Sequence, residues 1–283
     1  MRSWLYFVPA LLLPLAAFQA QATTIKERPE WAAIFDDAKT RGTIVVYDEQ
    51  ADRMDVFDAA RAKQRYSPAS TFKLFNAMVA LDTGAVTDEF DVIPWDGKVR
   101  MMGGAPKVEW NRPNSLASGM RYSTVWFFQE VARRAGEPRM HDWLHRVGYG
   151  NETLEGGIDQ FWLNDTLRIS AEEQVAFLRR LADGKLPFSE RAQEAVRRIS
   201  ITESQPEYVL HAKTGWLPEA AQNGSKGHKA DGIGWYVGWV EAKGRRWFFA
   251  ANMDLKPSSD GTQRVLITKR VLAAEGAIPP VQP

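Results

Sequence analysis

Hydrophobic residues recur with two different periods along this chain. The run Thr43-Ile44-Val45-Val46-Tyr47, bounded by Gly42 and Asp48, is β-branched and reads as a strand, and Arg53 to Phe57 is placed to pair with it. Trp31 to Lys39 reads as a short helix before them. After Pro68, apolar residues at Phe72, Leu74, Phe75, Met78 and Leu81 follow a helical period that closes at Gly84, so a helix is predicted to start near Ser70. From about Val86 to Glu207 helical signals dominate: Ser123 to Arg134 ending at Gly136, Arg139 to Val147 ending at Gly148, and Ala171 to Ala182 ending at Gly184. Ser170 and Glu173 stand at capping-box spacing, which makes the start of the third helix the best-marked boundary in the chain. Three β-rich segments come next, Tyr208 to Thr214, Trp235 to Glu241 and Trp247 to Met253, before a last helical stretch from Gln263 to Ala274.

Strands near both ends with helices between them predict an α+β fold. The first and last strands join in one mainly antiparallel sheet, and the helical block is inserted as a second lobe. The sheet lobe is expected over about 23–85 and 206–283, and the helical lobe over about 86–205. A cleft between lobes is where ligands usually bind.

The first residues carry an address. Arg2 gives a positive start, Leu5 to Phe18 is apolar but interrupted by Pro9 and Pro14, and Ala20-Gln21-Ala22 is a small-x-small cleavage site. Residues 1–22 are therefore expected to be a signal peptide, with the mature chain running over 23–283. The alternative, a membrane anchor, is disfavoured because the run falls short of the roughly 20 apolar residues that span a bilayer. Cysteine is absent, so no disulfide can form in the exported protein. Of 283 residues, 36 are Lys or Arg and 35 are Asp or Glu, with no dense basic run, which removes the electrostatic footprint of nucleic-acid binding.

Several chemistries are excluded by their missing motifs. There is no G-x-S-x-G elbow, no H-E-x-x-H and no G-x-x-x-x-G-K-[ST]. His141 and His145 lie four apart on an expected helix, but two ligands do not make a catalytic zinc site, and a solvent-facing pair is the simpler account. His211 shares a strand face with Lys213, but a carboxylate to orient it as a triad histidine cannot be located from the sequence. Trp235 and Trp239, on one strand face, read as packing residues.

Ser70-Thr71-Phe72-Lys73 is the sharpest local feature. On a helix, residues three apart project to the same side, so the Lys73 amine comes within reach of the Ser70 hydroxyl proton. A serine in a first helical turn also has an unpaired backbone N–H that can face a developing oxyanion. S-x-x-K by itself is equally a serine cap beside a solvated lysine. Lys213-Thr214-Gly215 sharpens the reading, because it ends a strand with a glycine where backbone approaches a ligand closely.

S-x-x-K upstream and K-T-G downstream resemble the signature of β-lactamases and penicillin-binding proteins. Ser123-Thr124-Val125 resembles the Ser-x-Val element of the class D, oxacillinase-type serine β-lactamases, and Tyr149-Gly150-Asn151 resembles that class's Y-G-N. The segment Gly156-Gly157-Ile158-Asp159-Gln160-Phe161-Trp162-Leu163 is similar to its active-site tryptophan segment. Where class A enzymes carry a deacylating glutamate, this chain has Gln160, so another base is required.

The resemblance implies a penicillin-recognising fold, an antiparallel sheet flanked by helices with an inserted all-helical lobe, and hydrolysis of β-lactams with antibiotic resistance as its consequence. It implies Ser70 as nucleophile and Lys73, N-carboxylated by carbon dioxide, as general base, with no dissociable cofactor and no metal. Phe72, Val125, Trp162 and Leu163 are expected to supply the apolar setting, and Trp162 an indole N–H for the carbamate. By the same resemblance Ser123 relays a proton to the leaving nitrogen. Backbone N–H groups of Ser70 and Trp216 form the oxyanion hole, and Lys213, Thr214, Gly215 and Arg264 receive the substrate. The alternative for Arg264 is a structural helix arginine. The expected partners are small β-lactams, with neither nucleic acid nor a stable membrane anchor, in the periplasm. Nothing in the sequence sets the oligomeric state. Two rivals share the chemistry: a D,D-peptidase that keeps its penicillin adduct, and an antibiotic sensor acylated to signal. The stretch Leu217 to Gly232 is longer than the matching strand connection in many relatives and is expected to border the cleft.

Overall fold

The computed structural model describes residues 23–102, 104–218, 232–255 and 261–281. The expected signal peptide and most of the Leu217–Gly232 connection lie outside the described residues.

A seven-stranded sheet in the order β1-β3-β2-β9-β8-β7-β6 runs through the molecule. Its strands are β1 (Thr24–Glu27), β2 (Gly42–Asp48), β3 (Arg53–Phe57), β6 (Ile201–Ser204), β7 (Val209–Leu217), β8 (Gly232–Ala242) and β9 (Arg245–Leu255). A two-residue pair, β4 (Met101–Met102) and β5 (Ala105–Pro106), stands apart. The N-terminal β2 pairs antiparallel with the C-terminal β9 from Gly42↔Met253 to Asp48↔Trp247, so the two ends of the chain do meet in one sheet. Every pairing is antiparallel except that of β1 with β3.

Both faces of the sheet are buried, and strand alternation sorts side chains between two cores. On β8, Ile233, Trp235, Val237 and Trp239 enter the core shared with the helical block. Tyr236, Val240 and Ala242 enter the core beneath α1 (Ala32–Asp37) and α9 (Gln263–Ala274). Trp235 and Trp239 are thus packing residues, as their spacing predicts.

The remaining helices are α2 (Ala59–Lys63), α3 (Lys73–Asp82), α4 (Leu116–Tyr122), α5 (Val125–Ala135), α6 (Glu137–Val147), α7 (Ala171–Ala182) and α8 (Glu190–Ile199). The Ser170–Glu173 capping box is present: Ser170 Oγ accepts from the Glu173 N–H at 3.2 Å, and Glu173 Oε2 accepts from the Ser170 N–H at 2.8 Å. This helix, α7, packs directly on β2 and β9 and joins the helical block to the sheet.

Two expected helix starts are corrected. Ser70 lies in a 3-10 turn, Ala69–Phe72, and the α-helix begins only at Lys73. Ser123 does not open a helix; it is a left-handed linker residue (φ 54°) between α4 and α5. In both places the backbone departs from regular α-helix geometry. The short elements β1, β6, α2 and α4 carry too few periodic positions to stand out from their flanks, whereas α8 is amphipathic over ten residues and is covered in the sequence only by the general helical block.

Candidate active site

Ser70 is set by its surroundings rather than by a regular helix. Ala69 before it has φ 47°, in the left-handed region that residues with a Cβ rarely adopt. The turn is braced by Thr71, whose hydroxyl donates to Pro68 O at 2.8 Å and accepts from buried Gln174 Nε2 at 2.9 Å. From the other side β7 presses on it. A Cβ at Gly215 would lie 2.9 Å from Pro68 O and 3.2 Å from Thr71 Cγ2, so the glycine of K-T-G is needed for backbone clearance.

Lys73 Nζ donates to Ser70 Oγ at 2.7 Å. The lysine is fully buried, with the Phe128 ring centroid 5.4 Å from its nitrogen. Burial holds its pKa well below the ordinary lysine value, and the nearby charge of Lys213 pushes in the same direction. A neutral amine next to a serine hydroxyl is a base.

Trp162 is buried and stacks on Phe72, ring centroids 5.3 Å apart. Its backbone carbonyl accepts from Ser67 Oγ at 3.0 Å, and Ser67 O accepts from Trp235 Nε1 at 2.8 Å. Its own indole N–H is buried without a hydrogen-bond partner, an arrangement that costs free energy unless something else fills it. Val125 and Leu163 pack against the same core. The Y-G-N element fastens this segment from behind. Asn151 Oδ1 accepts from Arg168 N at 2.7 Å, its Nδ2 donates to Thr166 O at 2.8 Å, and a Cβ at Gly150 (φ 59°) would collide with Arg168 O.

Ser123 faces Lys213, whose ammonium donates to Ser123 Oγ at 3.1 Å and to Thr214 O at 2.9 Å. Burial brings the Lys213 pKa down to about 7, with the positive charge of Arg264 as the second cause. Arg264 of α9 therefore reaches the electrostatic neighbourhood of Lys213, which its sequence position alone left open. Trp216, the next residue but one after Thr214, is 42% exposed on the same strand.

Lys213 and Thr214 also line a cavity of about 860 Å³ between the helical block and the sheet, together with Ser118, Tyr122 and Tyr236. The histidines lie apart from this chemistry. His145 Nδ1 is 3.0 Å from Glu152 Oε2 on the surface. Buried His211 stacks on Trp239 and is 2.9 Å from Arg197 O and 3.1 Å from Ser200 Oγ.

Phe128, Thr71, Gln174 and Ser67 escaped the sequence reading. Phe128 and Thr71 look like ordinary core and turn residues there, and the Gln174 contact spans 103 positions. The one available signal was a glutamine on the apolar face of α7, where a buried amide demands partners.

Comparison with known proteins agrees with this geometry. Residues 32–273 match the family model described as the penicillin binding protein transpeptidase domain. The chain is 42% identical over 270 residues to Beta-lactamase OXA-48 of Klebsiella pneumoniae, covering 95% of this chain and 96% of that one. It is 37% identical to the probable beta-lactamase YbxI of Bacillus subtilis, covering 98% and 99%. Among solved structures it superposes on the class D enzyme YbXI from Nostoc with TM-score 0.80 at 37% identity, covering 88% and 99% of the two chains. The class D enzyme FUS-1 (OXA-85) from Fusobacterium nucleatum gives TM-score 0.81 at 33% identity, covering 89% and 100%. With a catalytic-type Ser–Lys pair, a facing Ser–Lys pair and full-length similarity of this extent, the chain belongs to the penicillin-binding transpeptidase domain family and, within it, to the class D serine β-lactamases.

Proposed function

We propose that this protein hydrolyses β-lactam antibiotics through an acyl-enzyme on Ser70. The observation that carries the reading is the buried Lys73 amine 2.7 Å from Ser70 Oγ, with the unpartnered indole N–H of Trp162 in the apolar core that also holds Phe72 and Phe128.

Carboxylation of Lys73 fits the residues present. Only a neutral amine attacks carbon dioxide, and burial keeps Lys73 neutral at lower pH than a solvated lysine. Trp162 has one buried donor to offer, and Phe72, Phe128 and Val125 exclude water. Carboxylated at Nζ, Lys73 supplies a carbamate as general base for acylation and for the hydrolytic water.

The other residues act on the substrate. Ser70 Oγ attacks the lactam carbonyl carbon, the ring C–N bond breaks, and the Ser70 proton leaves to the base. Ser123, hydrogen-bonded to Lys213, returns a proton to the departing ring nitrogen. The backbone N–H groups of Ser70 and Trp216 receive the carbonyl oxygen as it gains charge. Lys213, Thr214 and Arg264 hold the ring carboxylate, with Gly215 giving the strand its clearance against the Ser70 turn. Water then cleaves the serine ester and frees the enzyme.

In this reading the protein is exported, cleaved after Ala22, and confers β-lactam resistance from the periplasm. No described helix is long and apolar enough to cross a membrane. Mass spectrometry of the protein mixed with a penicillin tests the proposal: an adduct on Ser70 that forms and disappears with product release is expected. An adduct persisting for hours would favour a D,D-peptidase or a sensor instead.

A further inference from the structure

The cavity beside Lys213 and Thr214 carries more positive charge than the ring carboxylate requires. Besides Lys213 it is lined by Arg112, Arg121 and Arg198, and by no Asp or Glu among the described residues. This is a local excess, because the chain as a whole carries a formal charge of only +1. Arg198 is already neutralised by an ion pair with Glu89. Arg112 and Arg121 are different. Their guanidinium carbons lie 5.2 Å and 5.7 Å from the Tyr122 ring centroid, and among the described residues neither makes an ion pair or a side-chain hydrogen bond, although the Glu109 charge acts on Arg112 from outside the cavity lining. A cation–π contact with one ring keeps both guanidinium groups beside the cavity, with N–H donors left to offer.

Tyr122 immediately precedes Ser123, so this cationic pair is built onto the neighbour of the residue that faces Lys213. Ser70 does not line the cavity. The space therefore extends from the carboxylate side of the nucleophile, and with the ring carboxylate at Lys213 and Thr214 it faces the substituent on the adjacent ring carbon. Penicillins have no extended group there; cephalosporins do.

We propose that Arg112 and Arg121, held on Tyr122, form a second anion subsite that selects β-lactams whose substituent next to the ring carboxylate ends in a carboxylate or sulfonate. The inference rests on the β-lactam reading of the same site. Planar guanidinium groups match such oxyanions through paired N–H donors, and a cationic substituent is repelled.

Three cephalosporins identical except for a terminal carboxylate, carboxamide or ammonium on that substituent provide the test. Dissociation constants are measured by calorimetry on Ser70→Ala, alone and combined with Arg112→Gln and Arg121→Gln. The carboxylate compound is expected to bind about five- to tenfold more tightly than the carboxamide, and the ammonium compound most weakly, with the spread vanishing when both arginines are replaced. Arg121→Lys, which keeps the charge, should retain part of the preference. No preference, or one that survives loss of both arginines, would overturn the subsite. Turnover of the carboxamide compound by the unmodified protein is scored separately. Absent turnover with intact binding preference removes hydrolysis and leaves the subsite standing; turnover without preference does the reverse.

Discussion

Lys73 Nζ sits 2.7 Å from Ser70 Oγ although the two residues belong to different elements, a 3-10 turn and the first turn of the α-helix that continues it. Their three-residue spacing brings the side chains together, and burial lowers the pKa of the lysine beside the hydroxyl. The cost falls on stability. Because the native pKa of Lys73 is depressed, the unfolded chain holds this proton over the interval between the native and unfolded values. Unfolding free energy therefore rises with pH across that interval and is lost as pH falls through it. Lys73→Met, of similar volume, should abolish turnover yet stabilise the fold by about 1–2 kcal/mol at neutral pH. Thermal melts in bicarbonate-free buffer at pH 6 and pH 9 check the sign: the gain must be larger at pH 6.

Ser70→Ala should lower β-lactam turnover by on the order of 10⁴-fold or more and prevent adduct formation. The Ser70 side chain makes no cap hydrogen bond in its turn, so stability should stay within about 0.5 kcal/mol of the parent. Purified variant that still hydrolyses penicillin would refute the nucleophile assignment.

Trp162→Ala would open a large void in the core, at about 3–5 kcal/mol, and confuse two effects. Trp162→Phe removes the unpartnered N–H while retaining a ring against Phe72. This variant should need more bicarbonate for full activity and should slow during turnover. Carbon-13 NMR with labelled bicarbonate reads the same change directly as a weaker carbamate signal. A wild-type rate indifferent to bicarbonate, with no such signal, would leave Lys73 acting as a free amine.

Arg264→Ala should reduce kcat/KM for penicillins by about ten- to a hundredfold, the worth of a charge-assisted bond of roughly 1.5–3 kcal/mol. It should also move a pH limb. Lys213 has a pKa of about 7 partly because Arg264 is near, so in the free enzyme its charge, and with it the attraction for a carboxylate, fades as pH rises through neutrality. Removing Arg264 lifts that pKa, so the alkaline fall of kcat/KM should shift upward. An unshifted limb would separate the two residues.

Gln174→Leu removes the buried donor to Thr71 and leaves the Thr71 hydroxyl with its bond to Pro68 and the turn with its packing against β7. The acylation rate constant should fall about three- to tenfold, with the dissociation constant of the non-covalent complex unchanged, as expected of a positioning residue about 10⁰ to 10¹ in effect. Stopped-flow acylation traces against substrate concentration separate the two quantities. A change confined to affinity would contradict the role.

The chain's local patterns determine a great deal here. Strand alternation in Ile44–Tyr47 and Trp235–Val240 assigns side chains to opposite faces, and helical spacing in Phe72–Leu81 makes α3, because each rests on contacts between near neighbours. The five motif elements likewise single out Ser70, Lys73, Ser123, Trp162 and Lys213, because residue type and spacing are readable from the chain alone. Tertiary structure decides how those residues meet. The 3.1 Å contact of Lys213 with Ser123 spans 90 positions, and the Gln174–Thr71 bond spans 103. The left-handed backbone at Ala69 and Ser123 contradicts local preference, so only packing around them can hold it. Burial has the same origin. Lys73 reads as a solvent-seeking ammonium in isolation, and its pKa is lowered because Phe128, brought in from another helix, joins Phe72 and Trp162 in burying it.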